Sequence, residues 1–339
     1  MFKFLLKTIS VLILFNQTKA QISLAGNLDL LCGCIPINTT QIILSGKNIS
    51  SVDSATFQDL TSLKILRLSR NRIVLLDSST FKDLISLREL DLGSNVIIKL
   101  DSATFKGLTN LNSLYLSYNQ LTKLDSNIFN GLTSLENLYL ENNRITSLDS
   151  SIFKNLTSLY SLNLRNNQLT SISETTFNGL TKLAFIYLTN NQLAKLDPHT
   201  FNGLTRLYRL ELQNNQITKL DSATFNGLTQ LNFLELYNNK IDFLDSTVFK
   251  GLSSLIWLRL ENNQINGIET ELFRDLVNLS YLNLESNQII YFGRNSLVGL
   301  TRLITVCLYD NQISNFFPST LDSICSTNPN CTVYVSSRC

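Results

Sequence analysis

The residues best suited to catalysis in this 339-residue chain are Glu211 and Glu235, which lie 24 positions apart. If the fold set them side by side, their carboxylates would approach the separation of about 5 Å that retaining glycosidases use. Nucleophilic triads need a histidine base, and the single histidine, His199, follows Pro198 in a predicted surface turn. The sequence contains no phosphate-binding loop and no zinc-ligand spacing. The element that positions the two glutamates therefore decides whether they can act on a substrate.

An internal repeat sets the position of these glutamates and of most other residues. Leucine recurs at every step of 24 from Leu63 to Leu303, and asparagine does so from Asn71 to Asn311. Phenylalanine recurs in the same way from Phe57 to Phe273. Self-similarity at such a period is typical of solenoid proteins, in which each unit buries its apolar residues against its neighbours.

Each unit reads LxxLxLxxNxIxxLxxxxFxxLxx, and this pattern predicts its local structure. The LxL core alternates as a strand does, and no helical period follows it, so the return path is irregular or a short 3₁₀ turn. The predicted fold is an α/β solenoid, mostly β, with one parallel sheet. The asparagine points inward, where its amide satisfies backbone groups of its own and the next turn, and the phenylalanine forms a spine under the opposite side. A β-sandwich with Asn-Gly hairpins, as at Asn130-Gly131, is disfavoured by the fixed register.

The consensus resembles the typical extracellular leucine-rich repeat of Slit, Toll-type ectodomains and variable lymphocyte receptors. The match covers roughly residues 42–321. This resemblance implies a horseshoe with a parallel sheet on its concave side and an irregular or 3₁₀ convex side. It does not imply one function, because members of that family bind many unrelated partners. A flat concave sheet offers the two glutamates no enclosing cleft, so we do not predict an enzyme.

The first twenty residues have the pattern of a secretory signal peptide. Lys3 and Lys7 flank a short apolar run, Ile9–Phe15, and Thr18-Lys19-Ala20 resembles a small-residue cleavage site. Cleavage after Ala20 removes three of the 28 basic residues. The remaining sequence has no excess of basic residues of the kind that indicates nucleic-acid binding. No later apolar run reaches the roughly 18 residues of a membrane span. We predict a secreted, extracellular protein with a signal peptide at 1–20, an N-terminal cap at 21–41, the repeat array at 42–321 and a C-terminal cap at 322–339.

Six cysteines near the two ends are disulfide candidates: Cys32, Cys34, Cys307, Cys325, Cys331 and Cys339. Cys32-Gly33-Cys34 resembles the N-terminal flanking module of the family, although that module usually has four cysteines. Six cysteines allow fifteen pairings. Cys331 follows Cys307 by one repeat period, which favours Cys307–Cys331, with Cys325–Cys339 as the second bridge. Five sequons remain after signal removal and are predicted glycosylation sites: Asn38, Asn48, Asn155, Asn278 and Asn330.

The outward positions of the strands vary from copy to copy, whereas the return segments do not. LDSATFKGLT at Leu100 and LDSATFNGLT at Leu220 differ at one residue. Duplicated copies that diversify on one face indicate a binding surface there, against the alternative of drift on a solvated sheet. Tyrosine and tryptophan on that face are favoured interface anchors. The predicted ligand-binding residues of the concave face are Tyr115, Tyr139, Arg165, Phe185, Tyr187, Arg209, Glu211, Phe233, Glu235, Tyr237, Trp257, Arg259, Glu261, Tyr281 and Glu285.

The glutamates and arginines among them leave two alternatives open: a cross-strand charge lattice, or an acidic, aromatic patch that attracts a basic partner. Eleven strands span on the order of 50 Å, which suits a protein, peptide or glycan ligand better than a buried metabolite. We therefore predict a recognition protein for an extracellular protein or a microbial or glycan ligand, with no cofactor and no metal. An extracellular matrix, structural or adhesion protein is the alternative. An immune role is implied only at the level of the family.

Overall fold

The computed structural model describes residues 12–14, 21–23, 35–293, 296–313 and 331–335. Several predicted features lie outside these residues: the cleavage site after Ala20, Cys32, Cys34, Cys325, Cys339 and Asn330. The described residues contain strands, turns and bends. Within these ranges, no helix is long and apolar enough to cross a bilayer.

The chain forms two compact units, which are residues 1–145 with 155–159 and residues 146–154 with 160–339. The strands of unit 1 are β1 (Leu12–Leu14), β2 (Gln21–Ser23), β3 (Gln41–Ile43), β4 (Ile65–Arg67), β5 (Glu89–Asp91), β6 (Ser113–Tyr115) and β7 (Asn137–Tyr139). Those of unit 2 are β8 (Ser161–Asn163), β9 (Phe185–Tyr187), β10 (Arg209–Glu211), β11 (Phe233–Glu235), β12 (Trp257–Arg259), β13 (Gly267–Ile268), β14 (Tyr281–Asn283), β15 (Tyr291–Phe292), β16 (Thr305–Cys307) and β17 (Thr332–Tyr334).

Parallel pairing of consecutive turns builds the sheet of each unit. In unit 1, β2 to β7 pair in sequence order, and β1 pairs with β2 in antiparallel orientation. In unit 2, β8 to β12, β14, β16 and β17 pair in order, and β13 and β15 form a separate two-stranded sheet. The predicted parallel solenoid is confirmed. The β13–β15 pair was not predicted, because only two copies among the described residues form it.

The sheet register equals the sequence repeat through most of the array. Ile65 lies opposite Glu89 and Arg209 lies opposite Phe233, each exactly one repeat further along the chain. The middle residue of each strand points into the stack, as Leu90 does with no exposed surface, while its neighbours point outward. Burying one leucine side chain stabilises the fold by roughly 1.5–3 kcal/mol. A repeat that supplies several leucines per turn therefore gives the stack its stability.

The repeated asparagine forms the predicted buried ladder. Asn95 is 6% exposed, and its Nδ2 donates to the carbonyl oxygens of Leu68 and Leu92 at 3.0 Å each. Its Oδ1 accepts from the backbone N–H of Ile73 at 3.0 Å. The amide thus serves its own turn and the preceding turn, rather than the next turn that we predicted. Each amide satisfies backbone groups that no neighbouring strand reaches.

The repeated phenylalanine forms the predicted spine in both units. In unit 1, the rings of Phe57 and Phe81 stack at 6.3 Å between centroids. In unit 2, Phe225 and Phe249 stack at the same distance, and both are at most 1% exposed. The segments around them are turns rather than 3₁₀ helices in the part of the chain that the structure describes. In the copies from Phe57 to Phe273, the return path packs around one buried aromatic side chain instead of a helix.

A second set of asparagines has a different role from that of the buried ladder. The residue before each ladder asparagine has positive φ, as in Asn142 (57°), Asn262 (54°) and Tyr118 (54°). This left-handed conformation is costly for most L-residues and is tolerated best by glycine and asparagine. The Asn-Asn pairs of the sequence therefore combine a backbone-conformation requirement with a buried hydrogen-bonding requirement.

Candidate binding face

The outward positions of the strands, together with the positions two residues beyond each strand, form what we call the sheet face. All fifteen predicted ligand-binding residues lie at such positions, with Tyr115 and Tyr139 in unit 1 and the others in unit 2. The predicted aromatic side chains are half-buried on this face rather than packed inside. The repeat register thus places these side chains where we predicted them.

In unit 1, two tyrosines on adjacent strands form the main aromatic surface. Tyr115 lies opposite Tyr139 in the register, and their rings stack at 4.7 Å with an interplanar angle of 4°. Burial raises the pKa of both hydroxyls, so both are neutral donors at physiological pH. Nearby, Arg67 Nε donates to Glu89 Oε1 at 2.7 Å. The pair is a flat surface with two hydroxyls.

In unit 2, the aromatic surface is larger and includes residues that sequence reasoning missed. Trp257 and Tyr281 stack at 3.8 Å on neighbouring strands. Tyr208 lies between two sheet-face rings, at 5.8 Å from Phe185 and 5.5 Å from Phe233. Tyr208 is 40% exposed and precedes its strand by one residue. The residue before the strand recurs once in every repeat. Tyrosines at that position, such as Tyr208, were the sequence signal that could have identified it as part of the aromatic surface.

Tyr160 occupies the same position one strand before the Phe185 strand. Its ring meets Phe185 edge-on at 5.3 Å, and the side chain is 49% exposed. Edge-to-face contacts are a preferred geometry for aromatic pairs, so the cluster is ordered rather than merely crowded. The aromatic surface of unit 2 therefore extends beyond the strands to their N-terminal edge.

The charged residues of unit 2 form the cross-strand lattice, and the alternative of an exposed acidic patch is wrong. Glu211, Glu235 and Glu261 are only 2%, 5% and 4% exposed, because arginines and rings cover them. Glu285 alone among the four predicted glutamates is half-buried. A carboxylate buried this deeply is stable only when it is paired. The lattice is therefore part of the fold and defines which charges face outward.

Three arginines carry the outward-facing side of this lattice. Arg165 Nε donates to Glu211 Oε2 at 3.0 Å, and its Nη2 contacts the same oxygen. Arg209 Nε donates to Glu211 Oε1 at 2.7 Å, and its Nη2 reaches Glu235 Oε1 at 3.4 Å. Arg259 lies 3.7 Å from Glu235 and hydrogen-bonds to Glu261.

Each guanidinium also lies over an aromatic ring. Arg165 stands 4.2 Å above Tyr187, and Arg259 stands 4.1 Å above the Tyr237 ring centroid. Arg209 lies 5.2 Å from the Phe233 centroid. Cation–π contacts of this kind are worth about 0.5–2 kcal/mol, depending on desolvation. Ring and carboxylate together fix each guanidinium from two sides.

The environment moves the pKa values of adjacent glutamates in opposite directions. Burial acts to raise the pKa of Glu211, but hydrogen bonds and attraction from Arg165 and Arg209 outweigh it, so the pKa is lowered. For Glu235, burial outweighs the attraction of Arg259 and Arg209, and the pKa is raised. Burial also raises the pKa of Glu261 against a backbone hydrogen bond and Arg259. Glu211 and Glu235 each contact two arginines, but the contacts of Glu211 are short hydrogen bonds, whereas those of Glu235 are longer, at 3.4 and 3.7 Å.

The pair that suggested catalysis is part of this lattice. Glu211 lies opposite Glu235 in the β10–β11 register, as predicted for lateral neighbours. Opposite pKa shifts are typical of acid–base pairs, but both carboxylates lie beneath Arg209 and are at most 5% exposed. Their pKa values differ because their arginine contacts differ. Among the described residues, no group of three His, Cys, Asp or Glu side chains is arranged to hold a metal ion.

The described cysteines lie beside the last strands. Cys307 is fully buried in β16 and is disulfide-bonded, and its Sγ lies 3.7 Å from the Tyr281 hydroxyl. The β16–β17 register pairs Cys307 with Tyr334, which lies 27 residues further along the chain, three more than the repeat length of 24. Cys331 precedes the Thr305–Thr332 pair by one residue. The register step at this strand differs from the 24 residues that favoured Cys307–Cys331, and that pairing stays a prediction.

The described sequons lie away from the strands. Asn38, Asn48 and Asn155 are exposed, and Asn278 is half-buried. Asn155 Nδ2 donates to Asn130 Oδ1 at 2.9 Å, and Asn278 Nδ2 donates to the Ser253 carbonyl oxygen at 2.7 Å. None of these four described sequons falls within a strand.

Comparison with known structures supports this architecture. Internalin InlF from Listeria monocytogenes is 28% identical, and the match covers 95% of this chain and 87% of InlF with a TM-score of 0.72. The ectodomain of GASSHO1/SCHENGEN3 from Arabidopsis thaliana, solved with CASPARIAN STRIP INTEGRITY FACTOR 2, is 28% identical with a TM-score of 0.69. That match covers 89% of this chain and 37% of the receptor chain.

Toll in the Toll–Spatzle complex of Drosophila has a TM-score of 0.78 at 23% identity, over 88% of this chain and 44% of Toll. At this identity the similarity shows the fold alone. A search of curated proteins gives no match. The family model described as leucine rich repeat matches residues 37–97, 85–145, 133–193, 186–241 and 234–289. Because that model covers most of the chain and agrees with the register, ladder and spine described above, the protein belongs to the leucine-rich repeat family.

Proposed function

We propose that the protein is secreted and recognises an extracellular protein, or a microbial or glycan ligand, through the sheet face of its repeats. One observation carries this proposal: the side chains that differ between copies gather on the sheet face, whereas the buried framework is the same in nearly every copy. A face that served only to cover the core would need no aromatic residues. This face holds stacked tyrosines in unit 1 and a larger aromatic surface with fixed arginines in unit 2.

The chemistry of the face supports protein or peptide recognition. Trp257 and Tyr281 offer flat apolar surface together with a hydroxyl and an indole N–H, the combination that dominates interface hot spots. Tyr160 and Tyr208 widen the same surface at its edge. Ordered side chains lose little entropy on binding, which favours affinity. The face therefore has the anchors and the rigidity of a binding surface.

Structures of similar proteins support a ligand outside the cell. The GASSHO1/SCHENGEN3 ectodomain was solved in complex with CASPARIAN STRIP INTEGRITY FACTOR 2, and FLRT2 occurs in an octameric complex with Latrophilin 3 and Unc5D. FLRT2 is 25% identical over 76% of this chain, with a TM-score of 0.64. These proteins use leucine-rich repeats in assemblies with other proteins, and we infer the same use here.

The test is capture of partners from extracellular fluid with the mature protein as bait. Replacing Tyr139, Tyr187, Tyr237 and Trp257 together by serine should abolish capture while circular dichroism and the unfolding midpoint show an intact fold. A matched control replaces Ile98, Phe243 and Ile290, which are 48–50% exposed outside the strands, by serine and should retain every partner. An unchanged set of partners with the first variant would contradict a recognition role and favour a structural or adhesive one.

A further inference from the structure

We propose that the sheet face of unit 2 binds an acidic peptide segment, whose carboxylates meet Arg165, Arg209 and Arg259. This inference rests on the proposed function and names the chemistry of the partner. It reverses the sequence-based alternative of a basic partner, because the burial of the glutamates changes which charge a ligand meets. The side chains that carry it belong to strands β8 to β14 and their flanking residues.

Apart from half-buried Glu285 beyond β14, the outermost charges on this face are guanidinium groups. The side chains of Arg165, Arg209 and Arg259 are 37%, 33% and 31% exposed, whereas those of Glu211 and Glu235 are 2% and 6% exposed. An approaching carboxylate is therefore closer to the cations than to the anions beneath them. Because Coulomb energy falls with distance, the nearer positive charges dominate at contact.

The arginines are also fixed in place before any ligand arrives. Each guanidinium lies over a ring and is bound at its edge by a buried carboxylate, as Arg165 is by Tyr187 and Glu211. Arginine side chains otherwise lose substantial rotamer entropy when they bind a ligand. A guanidinium held in this way binds a carboxylate with a smaller entropic loss than a free one.

Hydrogen-bond donors remain available on these groups. A guanidinium has five N–H donors. Arg165 and Arg209 use Nε and Nη2 for their glutamates, and within the described residues neither Nη1 makes a hydrogen bond. Carboxylate oxygens pair with such donors more strongly than neutral acceptors do. The unused donors therefore favour an anionic partner over a neutral one.

The charge balance favours a peptide over a sulfated glycan. The three arginines are matched by three buried glutamates, and Glu285 adds a fourth carboxylate to the face, so the face has no net positive charge to hold a dense polyanion. The arginines lie among aromatic side chains such as Phe233 and Trp257, which suit apolar residues. The rings beneath their guanidiniums belong to β9 and β11 with its flanking Tyr237, about 10 Å apart, which equals roughly three residues of extended chain. A short segment with spaced acidic and apolar residues fits both features.

The experiment selects peptides from a phage-displayed random library on the full mature chain. Selected peptides, fluorescein-labelled, are then titrated against the protein and against Arg165→Gln/Glu211→Gln, which removes one cation and one anion and so keeps the lattice neutral. The matched control is Arg274→Gln/Glu271→Gln, an exposed ion pair on a return segment with side chains 77% and 58% exposed. Trp257 is the only tryptophan of the chain, so its fluorescence reports contact at this face directly.

We expect the selected peptides to be enriched in Asp and Glu at least threefold over the library. Their affinity should fall at least tenfold in Arg165→Gln/Glu211→Gln, weaken with salt and stay unchanged in the control pair. Replacing the acidic residues of a selected peptide by Gln or Asn should weaken binding by a similar factor. Circular dichroism and the unfolding midpoint of both double variants establish that each is folded.

Other outcomes overturn the inference. Peptides that need Tyr187, Tyr237 and Trp257 but lack excess acidic residues contradict it while leaving the proposed function standing. Peptides that respond to neither set of variants contradict both. If heparin binds more tightly than every selected peptide and its binding needs the same arginines, the ligand of this face is a sulfated glycan rather than a peptide. A selection without peptides above background also overturns it, and partner capture then tests the proposed function separately.

Discussion

Arg165 and Glu211 are separated by 46 residues, yet Arg165 Nε donates to the Glu211 carboxylate at 3.0 Å. The contact skips one whole repeat, since Arg165 follows β8 and Glu211 ends β10. The intervening strand contributes Tyr187, over which the guanidinium lies at 4.2 Å. One long side chain thus joins three turns of the solenoid. Lattices of this kind couple the stability of unit 2 to the arrangement of its binding face.

Glu211 and Glu235 should respond to neutralisation in opposite ways. At neutral pH, Glu211→Gln should lower the free energy of unfolding by about 2 kcal/mol, because hydrogen bonds from two arginines to a carboxylate are lost. Glu235→Gln should raise it by about 1 kcal/mol, because burial outweighs the arginine contacts of that carboxylate. Urea titrations of the two variants beside the parent protein measure both values.

The pH dependence of these two effects follows from the signs of the pKa shifts. The lowered pKa of Glu211 contributes stability that is present above the unfolded pKa, about 4.3, and is lost as pH falls through the folded pKa. The raised pKa of Glu235 does the reverse: its destabilising effect grows as pH rises through the folded pKa and is absent well below about 4.3. The two variants should therefore converge on the parent at low pH. Parallel curves at all pH values would contradict this account.

Removing one member of the asparagine ladder should destabilise the protein strongly. Asn215 Nδ2 donates to the carbonyl oxygens of Leu188 and Leu212 at 3.0 Å, and its Oδ1 accepts from the Leu193 N–H at 3.1 Å. Asn215→Ala leaves these buried groups unsatisfied, and we expect a loss of about 3 kcal/mol. Urea unfolding measures it, with exposed Asn202→Ala as the control that should change stability by less than about 0.5 kcal/mol.

Tyr118 occupies a left-handed position that asparagine fills in six other copies. Its φ is 54° and its side chain is 59% exposed, so Tyr118→Asn removes conformational strain without loss of a buried contact. We expect the thermal midpoint to rise, corresponding to a gain of about 1 kcal/mol. The reciprocal change, Asn262→Tyr at φ 54°, should lower the free energy of unfolding by a similar amount. Equal thermal midpoints in the two variants would show that the positive φ at these positions does not determine the change in stability.

Substitution of an aromatic residue on the sheet face should mainly weaken ligand binding, whereas substitution of one in the spine should mainly lower stability. Trp257→Ala should weaken ligand capture at least tenfold and lower the free energy of unfolding by only about 1 kcal/mol, because the side chain is half-buried and stacks on Tyr281 at the surface. Phe249→Ala should lower it by about 3–5 kcal/mol, because the ring is 1% exposed in the spine. Chemical unfolding and capture assays on both variants distinguish the two roles. Equal stability losses would place Trp257 in the core.

Glycosylation tests the predicted extracellular location. Expressed with its first twenty residues in a eukaryotic secretory host, the protein should appear in the medium with Gln21 as its first residue. Exposed Asn48 and Asn155 should carry glycans, whereas half-buried Asn278 should be occupied least. Peptide mass spectrometry before and after enzymatic deglycosylation gives the occupancy of each site. Retention in the cell with an intact N-terminus would contradict secretion.

The framework of the fold could be read from periodicity alone. Leu63, Asn71 and Phe57 each begin a series that recurs at the repeat period, and each residue type allows one environment: an inward strand position, a buried amide ladder and a stacked spine. Because each turn contacts its neighbours in a constant register, the local pattern of one repeat is also the tertiary pattern. Periodicity does not extend to β17, where the register step grows by three positions.

The sequence determined which side chains lie on the sheet face, because strand alternation and a fixed period leave no other direction for Tyr139 or Trp257. Only the tertiary structure decided what that face presents to a ligand. Glu211 and Arg209 occupy equally outward positions in the sequence pattern, but the carboxylate is 2% exposed and the arginine side chain 33% exposed. The physical reason is reach: the long side chains of Arg209, on the same strand, and Arg165, two strands away, both cover the shorter Glu211 carboxylate. Such contacts depend on side-chain lengths within and across repeats rather than on any periodicity.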